Sequence, residues 1–377
     1  MFRPSTFVLL TAFAKLALAL SQGDLTVSLK AVESSVKAVE DIIVTAVVTN
    51  PTGSDVRVLK VGNVLDNSAS QSFVIKSSDG KEVPFAGVHA SYDFSHESLY
   101  VTIPAGQSFA VNHTVTSFYD FSSFAPGTSF SFSALKDTFQ SGPDDATINV
   151  DVNPVDVTVT DSLTFAPFFT SLGQKGEIEP FVSTPVCSDG GRKTTITDSL
   201  TYARSLAGGA ATDIKNNPGG THFTRYFGGN NVNDIWFNLD RVAGDQTSSR
   251  DIYCSIDHSD SSSYCNSNPG VIAYTVIYSD GRTPIYVCEL FFQAGTTPSI
   301  CDTKSYDSTM SSRGGIILHE LAHAVFGADD VTYGCNAGAG LSAADKKRNA
   351  DNYRCVGLNV YLDWNCVNGP RSIDEEA

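Results

Sequence analysis

The sequence predicts an α+β protein in which an all-β, immunoglobulin-like sandwich precedes a mostly helical domain with a small β-sheet. Short β-rich runs separated by Gly, Pro, Asp and Ser dominate the first 150 residues, whereas helical periodicity appears only in the second half. The eight cysteines are also confined to the second half, beginning at Cys187. This asymmetry indicates two units with different stability requirements.

The N-terminus has the pattern of a secretion signal, which we place at residues 1–19. Arg3 provides the positive charge, residues 7–20 the apolar core, and Ala17-Leu18-Ala19 the small-residue cleavage pattern. No later stretch approaches the roughly 20 apolar residues that a membrane span needs. The net charge of −16 argues against nucleic acid or an anionic membrane as partner. We therefore expect a secreted, extracellular monomer.

Residues 20–150 are predicted to form the sandwich. Strand-like runs at 25–29 and 42–48 are followed by the turn sequence Asn50-Pro51-Thr52-Gly53, and similar short runs recur downstream. Residues 151–183 contain Pro and Gly at several places, so we expect an exposed linker and processing region there.

Residues 184–377 are predicted to form the second domain. Helical periodicity marks 194–210, 231–242 and 342–356, and a hairpin is expected from alternating runs at 271–277 and 284–292. The edge of that hairpin could accept an extended peptide by strand addition.

His319-Glu320-Leu321-Ala322-His323 follows the hairpin and lies in an apolar stretch that predicts a helix from Ser311 or Ser312 to Gly327. Side chains four residues apart share a helix face, so the two imidazoles can bind one ion while Glu320 acts as general base toward a bound water. The alternative is a buried helix with two core histidines. It would leave three buried polar groups in need of partners, which is costly.

A catalytic zinc usually has a third protein ligand. Downstream of the motif there is no further histidine, and the nearest glutamate is Glu375 in a polar tail. Aspartate remains, with Asp329, Asp330 and Asp351 as candidates. We favour Asp330, because a glycine-bounded loop would return it over the helix; Tyr333 in the same loop could donate to an oxyanion. The alternative is an ordinary turn with a packed aromatic.

The even cysteine count in a secreted chain predicts disulfides, although eight cysteines allow 105 pairings. A cysteine-only zinc site is disfavoured because no Cys-x-x-Cys occurs. The cysteines are Cys187, Cys254, Cys265, Cys288, Cys301, Cys335, Cys355 and Cys366.

His-Glu-x-x-His followed by Gly-x-x-Asp-x-x-Tyr-Gly resembles the aspzincin metallopeptidases, the family of deuterolysins and peptidyl-Lys metalloendopeptidases. The resemblance implies a zincin-like catalytic domain with one Zn²⁺ bound by His319, His323 and Asp330. It also implies that Glu320 is the base and Tyr333 the transition-state stabiliser. The cysteine-free first half is similar to the pro-region of these enzymes.

Outside the motif, residues 287–292 and 349–353 resemble the strand before the metal helix and the helix after it in the peptidyl-Lys enzymes. The resemblance also implies the disulfides Cys187–Cys254 and Cys265–Cys288. Pairing among the other four stays open, with Cys301–Cys366 and Cys335–Cys355 as our expectation.

Two departures from the family pattern concern the loop and the substrate pocket. Ala328 replaces the usual threonine, which removes no ligand. Arg354 stands where lysine-specific enzymes carry an acidic residue that, with the aspartate matching Asp351, binds a substrate lysine. A cation there should repel lysine, so strict lysine specificity is not expected. Asp351 and Arg354 are thus candidates for a substrate pocket, or Asp351 pairs with Arg354 or orients a metal ligand.

We therefore predict a secreted zinc endopeptidase, made as a precursor, that hydrolyses proteins and peptides. The alternatives are a catalytically weak, zinc-containing binding protein and a zinc hydrolase of a non-peptide amide. The first half has no cysteine and cannot silence zinc with a thiolate. His89, His96 and His113 could in principle ligate, but surface histidines are common and none is assigned.

Overall fold

The computed structural model describes residues 21, 23–142, 147–164, 183–244, 250–254 and 264–366. The expected secretion signal and most of the expected processing region lie outside the described residues. Both helices and strands are present, in agreement with the α+β class.

The first half is built from strands. β1, β3 and β8 form one antiparallel sheet, and β2, β12, β9 and β5 form another. Side chains from both sheets share one apolar core, in which Phe73, Phe130 and Phe132 are at most 1% exposed. The strands are β1 Thr26–Ala31, β2 Ser35–Ala38, β3 Val44–Thr49, β4 Val56–Leu59, β5 Phe73–Ser77, β6 Val88–Tyr92, β7 Tyr100–Ile103, β8 Ser108–His113, β9 Thr128–Ala134, β10 Thr138–Phe139, β11 Ile148–Asn149 and β12 Val155–Ser162.

Strand β12 lies where the sequence predicted a linker, so that boundary was placed too early. It pairs antiparallel with β9 and parallel with β2. Val157 and Val159 alternate with more exposed residues and enter the core. The first unit therefore extends to at least Ser162.

The second half packs helices against a sheet. Helix α1 contacts α3, the central helix α6 and the last helix α9. The elements are β13 Thr184–Val186, α1 Gly190–Asn216, α2 Thr221–Phe227, α3 Val232–Gly244, β14 Asp251–Cys254, β15 Val271–Val276, β16 Ile285–Val287, α4 Glu289–Gln293, α5 Ile300–Thr303, α6 Arg313–Phe326, α7 Cys335–Ala339, α8 Ala343–Arg348 and α9 Ala350–Asn365.

Two predicted elements differ from the structure. The second hairpin strand stops at Val287, and the rest of the predicted run forms helix α4. The predicted helix at 342–356 is two helices, α8 and α9, separated by Asn349 in an extended conformation. The Asn349 side chain accepts a hydrogen bond from Thr332 N at 3.1 Å, so this break connects the end of α8 to the loop after α6.

The sheet of the second half is completed by a strand from the first half. Its order is β13-β14-β16-β15-β6, with β6 antiparallel to β15. The two halves thus share one continuous sheet, and β6 covers the hairpin edge that the sequence marked as a docking edge.

The cysteines form the same four pairs that the sequence analysis set out. They are Cys187–Cys254, Cys265–Cys288, Cys301–Cys366 and Cys335–Cys355. All four crosslink the second half. Among the described residues, no helix is both long and apolar enough to cross a membrane.

Candidate metal centre and active site

Helix α6 is buried along almost its whole length and begins and ends as the sequence predicts. Ser312 accepts a hydrogen bond from Gly315 N at 3.1 Å, which satisfies one of the free N–H groups of the first turn. Gly327 ends the helix in the left-handed region, at φ 73°, where a side chain would be strained. The motif residues are therefore held on a rigid element.

Three ligand atoms converge above α6. His319 Nε2 and His323 Nε2 lie 3.0 Å apart, and Asp330 Oδ1 lies 3.0 Å from the first and 3.2 Å from the second. Both histidines are 1% exposed. The loop after α6 thus returns Asp330 over the helix.

The hydrogen bonds behind these atoms determine where the imidazole protons lie. His319 Nδ1 is 2.8 Å from Asp351 Oδ1, and His323 Nδ1 is 2.7 Å from the Ala328 carbonyl oxygen. Both partners are acceptors, so each Nδ1 carries the proton. Two Nε2 lone pairs and a carboxylate oxygen then face one another. Among the described residues, no donor bonds Asp330 Oδ1.

Either a proton on one imidazole or a cation between the three atoms would relieve the repulsion among these lone pairs, and the dimensions of the set fit zinc. Tetrahedral ligands at about 2.0–2.1 Å from zinc would be separated by about 3.3 Å. The observed separations of 3.0–3.2 Å are close to this value. Two imidazoles and one carboxylate also match the ligand types that zinc prefers at catalytic centres.

Glu320 lies beside the ligands and is fully buried. Its Oε1 accepts a hydrogen bond from Ser91 Oγ at 2.7 Å, and its Oε2 accepts one from Thr275 Oγ1 at 2.8 Å. Burial raises the pKa of this carboxyl group to about 7, against the lowering effect of His319 and the two hydroxyls. A carboxylate with such a pKa is suited to accept and return a proton near neutral pH.

This pKa predicts a pH-dependent stability of the chelated, metal-free chain. The unfolded carboxyl titrates near 4.5 and the folded one near 7, so the folded state binds more protons between these values. The free energy of unfolding should therefore fall as pH rises from 4.5 to 7, by about 3 kcal/mol. Glu320→Gln lacks this titration. Urea denaturation of both proteins should show their stability difference changing over this window; a constant difference from pH 4 to 8 would contradict it.

Tyr333 is brought to the same site from the loop after α6. Its ring stacks 6.0 Å from that of His319, and its hydroxyl donates to the Ala90 carbonyl oxygen at 2.9 Å. Burial raises the pKa of the phenol well above its ordinary value, so the group stays protonated as a donor.

The structure does not support a substrate pocket at Asp351 and Arg354. They are 0% and 1% exposed, and two hydrogen bonds of 2.8 and 3.1 Å join the guanidinium to the carboxylate. Arg354 also donates to the backbone carbonyls of residues 306–308. Burial opposes ionisation of Asp351, but Arg354 and His319 lower its pKa below the usual range. Asp351 therefore orients His319, the other alternative raised from the sequence.

Four residues at the site were not predicted from the sequence as part of it. His89 was considered only as one of three unassigned histidines; its ring stacks 4.4 Å from that of His323. Ala90 and Ser91 belong to β6, and Thr275 to β15. These residues form no motif of their own, because strand pairing between distant segments brings them to the metal helix.

Comparisons with known proteins identify relatives of this chain. A family model described as lysine-specific metallo-endopeptidase, of the aspzincin type, matches residues 213–356. A neutral protease 2 homolog from Pyricularia oryzae is 27% identical over 92% of this chain and 94% of its own length. An extracellular protease from Aeromonas hydrophila is 24% identical over 85% of this chain and 88% of its own.

A solved zinc peptidase from Grifola frondosa, 18% identical, covers 45% of this chain and 96% of its own. Its TM-score of 0.33 is too low to establish a common fold. The family model and the relatives that span nearly the whole chain lead to one conclusion. This chain is a zinc-dependent metalloendopeptidase that resembles the aspzincin family over residues 213–356.

Proposed function

We propose that this protein is the secreted precursor of an endopeptidase that binds one zinc ion through His319, His323 and Asp330. Residues 184–377 form its zincin-like catalytic domain. The first half, an immunoglobulin-like sandwich followed by the processing region, is a pro-domain that is removed on maturation. Four disulfides in the catalytic domain support function outside the cell.

One observation carries the proposal: three lone-pair atoms converge within 3.2 Å of one another beside a buried carboxylate with a raised pKa. Zinc held by these three residues would supply Lewis-acid chemistry, polarising the scissile carbonyl and acidifying water. A binding protein would have no use for a base beside the ion, and this argues against the first alternative function.

The chain's own residues then perform the proton transfers. Glu320 accepts the proton of the attacking water and delivers it to the leaving amine. The Tyr333 hydroxyl donates to the oxygen on which negative charge develops. Asp351 and the Ala328 carbonyl hold the two imidazoles in the tautomer that leaves Nε2 free.

The substrate is an extended segment of a protein or peptide. Strand β15 lies beside the metal helix, with Thr275 bonded to Glu320, so a chain paired with β15 runs past the reacting groups. This favours a peptide over a small amide. Because Asp351 and Arg354 are buried, no lysine selection is expected from them.

The metal assignment is tested by Asp330→Ala, with the adjacent Asp329→Ala as a matched control. Asp329 is a partly exposed partner of Arg348, at 2.6 Å, and bonds neither of the two metal-motif histidines in the described part of the chain. We expect Asp330→Ala to lose bound zinc on dialysis, measured by elemental analysis, and the processed variant to lose protein digestion. Asp329→Ala should keep both. Full zinc occupancy and digestion in Asp330→Ala would reject this ligand set.

A further inference from the structure

Strand β6 enters the catalytic half in the manner of a bound peptide. It pairs antiparallel with β15, with Ala90 opposite Tyr274. Beyond its two ends, Ile277 N donates to the Gly87 carbonyl and Asp93 N donates to the Gly270 carbonyl, both at 2.9 Å. Main-chain pairing of this kind is the general mode by which a sheet edge binds an extended segment.

The middle of the strand is bound by the proposed metal ligand Asp330 and by the two groups assigned to catalysis. Ala90 N donates to Asp330 Oδ2 at 3.2 Å, and Tyr333 donates to the Ala90 carbonyl at 2.9 Å. Ser91 Oγ donates to Glu320 at 2.7 Å. The groups that would act on a scissile peptide bond therefore surround the bond between Ala90 and Ser91.

Neighbouring side chains complete the fit along both faces of the strand. Val88 and Tyr92 pack with Tyr274 in an apolar cluster. On the other face the His89 ring covers that of His323, and its Nδ1 lies 3.4 Å from Asp330 Oδ2. The strand thus has the alternating contacts of a peptide docked in a cleft.

We propose that residues 88–92 are a pseudosubstrate: the precursor is latent because its own strand occupies the substrate's place, with the Ala90–Ser91 bond at the reacting position. This inference rests on the proposed function and names the part of the chain that regulates the site. It also gives the substrate register, because the residue that contributes the scissile carbonyl lies opposite Tyr274.

The same contacts explain why the pseudosubstrate blocks the site. Both oxygens of Glu320 accept hydrogen bonds from hydroxyls, one from Ser91 and one from Thr275, and the carboxylate is fully buried. The base is therefore engaged, and the strand fills the space from which water would attack. Departure of β6 frees Glu320 and the edge of β15 together.

The test measures peptide docking in the full chain carrying Glu320→Gln, which slows turnover strongly. The probe is a fluorescent peptide with the sequence of residues 86–94, and its affinity is measured by anisotropy in the presence of zinc. Ala90→Pro replaces the N–H that faces Asp330 with ring carbons. We expect this variant to bind the probe at least tenfold more tightly, because its own strand no longer holds the cleft.

Two controls make the result specific. Ala110→Pro makes the same change in strand β8, at an exposed position in a different sheet from β6, and should leave probe affinity unchanged. A scrambled peptide should bind no variant. If Ala90→Pro fails to fold, Ser91→Leu is the second variant. Ser91 is 2% exposed and packs against Glu320, so the larger leucine side chain should displace the strand by a different route.

Equal probe affinity in the parent chain and in a correctly folded β6 variant would overturn the inference. The anisotropy measurement reports peptide binding and does not depend on catalysis. A failure of the pseudosubstrate inference can therefore be distinguished from a failure of the proposed function. If the processed protein binds the probe but digests no protein, the proposed endopeptidase activity is rejected and the pseudosubstrate inference is not.

Discussion

Glu320→Gln in the processed protein is expected to lower the rate of protein digestion by about 10²–10⁴-fold while zinc content stays unchanged. The amide has nearly the shape of the carboxyl group and can keep the hydrogen bond to Ser91 or Thr275 before processing. It cannot accept a proton from water. The loss would therefore report the base and not the metal.

The matched control is Glu289→Gln, which changes an exposed carboxylate bonded to Arg192 in the same domain. It should digest protein at the parent rate. The assay is digestion of a denatured protein mixture, with new termini identified by mass spectrometry. Cleavage by Glu320→Gln at the parent rate would reject the mechanism. Enrichment of lysine on the C-terminal side of the cut would show that the enzyme selects lysine although Asp351 and Arg354 are buried.

Arg354→Leu is expected to reduce the free energy of unfolding by about 3–5 kcal/mol. The guanidinium is 1% exposed and bonds both oxygens of Asp351 as well as backbone carbonyls at residues 306–308. Leucine would leave a buried carboxylate with one partner fewer and those carbonyls without their donor. The loss of Asp351's position would also disturb His319.

Arg348→Leu is the matched control, since Arg348 forms ion pairs with Asp329 and Asp345 at a partly exposed site. It should cost no more than about 1 kcal/mol. Urea denaturation of the chelated chains measures both. Adding Asp351→Asn to Arg354→Leu should recover part of the loss, because the unpaired charge is removed. Equal stability of the two single variants would contradict the role given to Arg354.

Local patterns were enough to predict the helix that carries the motif and where it ends. The i, i+4 spacing of His319 and His323 and the stop at Gly327 depend only on neighbouring residues, and the structure has the predicted helix. Asp330 was reached by elimination, which works because few ligand-type residues follow the motif.

Predictions that required knowledge of distant contacts were less successful. Strand β12 was taken as linker because prolines flank it, although its alternating valines needed only partner strands to form a core. Arg354 was placed at a substrate pocket because it stands where lysine-specific enzymes carry an acidic residue, and that resemblance carries no information on burial. Its carbonyl partners at 306–308 are remote in sequence.

The sequence alone was enough to predict the chemistry that we propose for this protein: the ligand types, the base and the helix that carries them, because residue identity and helical spacing are local properties. Only the tertiary structure showed that residues 88–92 lie across the candidate active site. Antiparallel pairing joins β6 to β15, some 180 positions later in the chain, through main-chain groups that every sequence possesses. Such pairing is settled by the packing of the two halves and leaves no pattern in either segment.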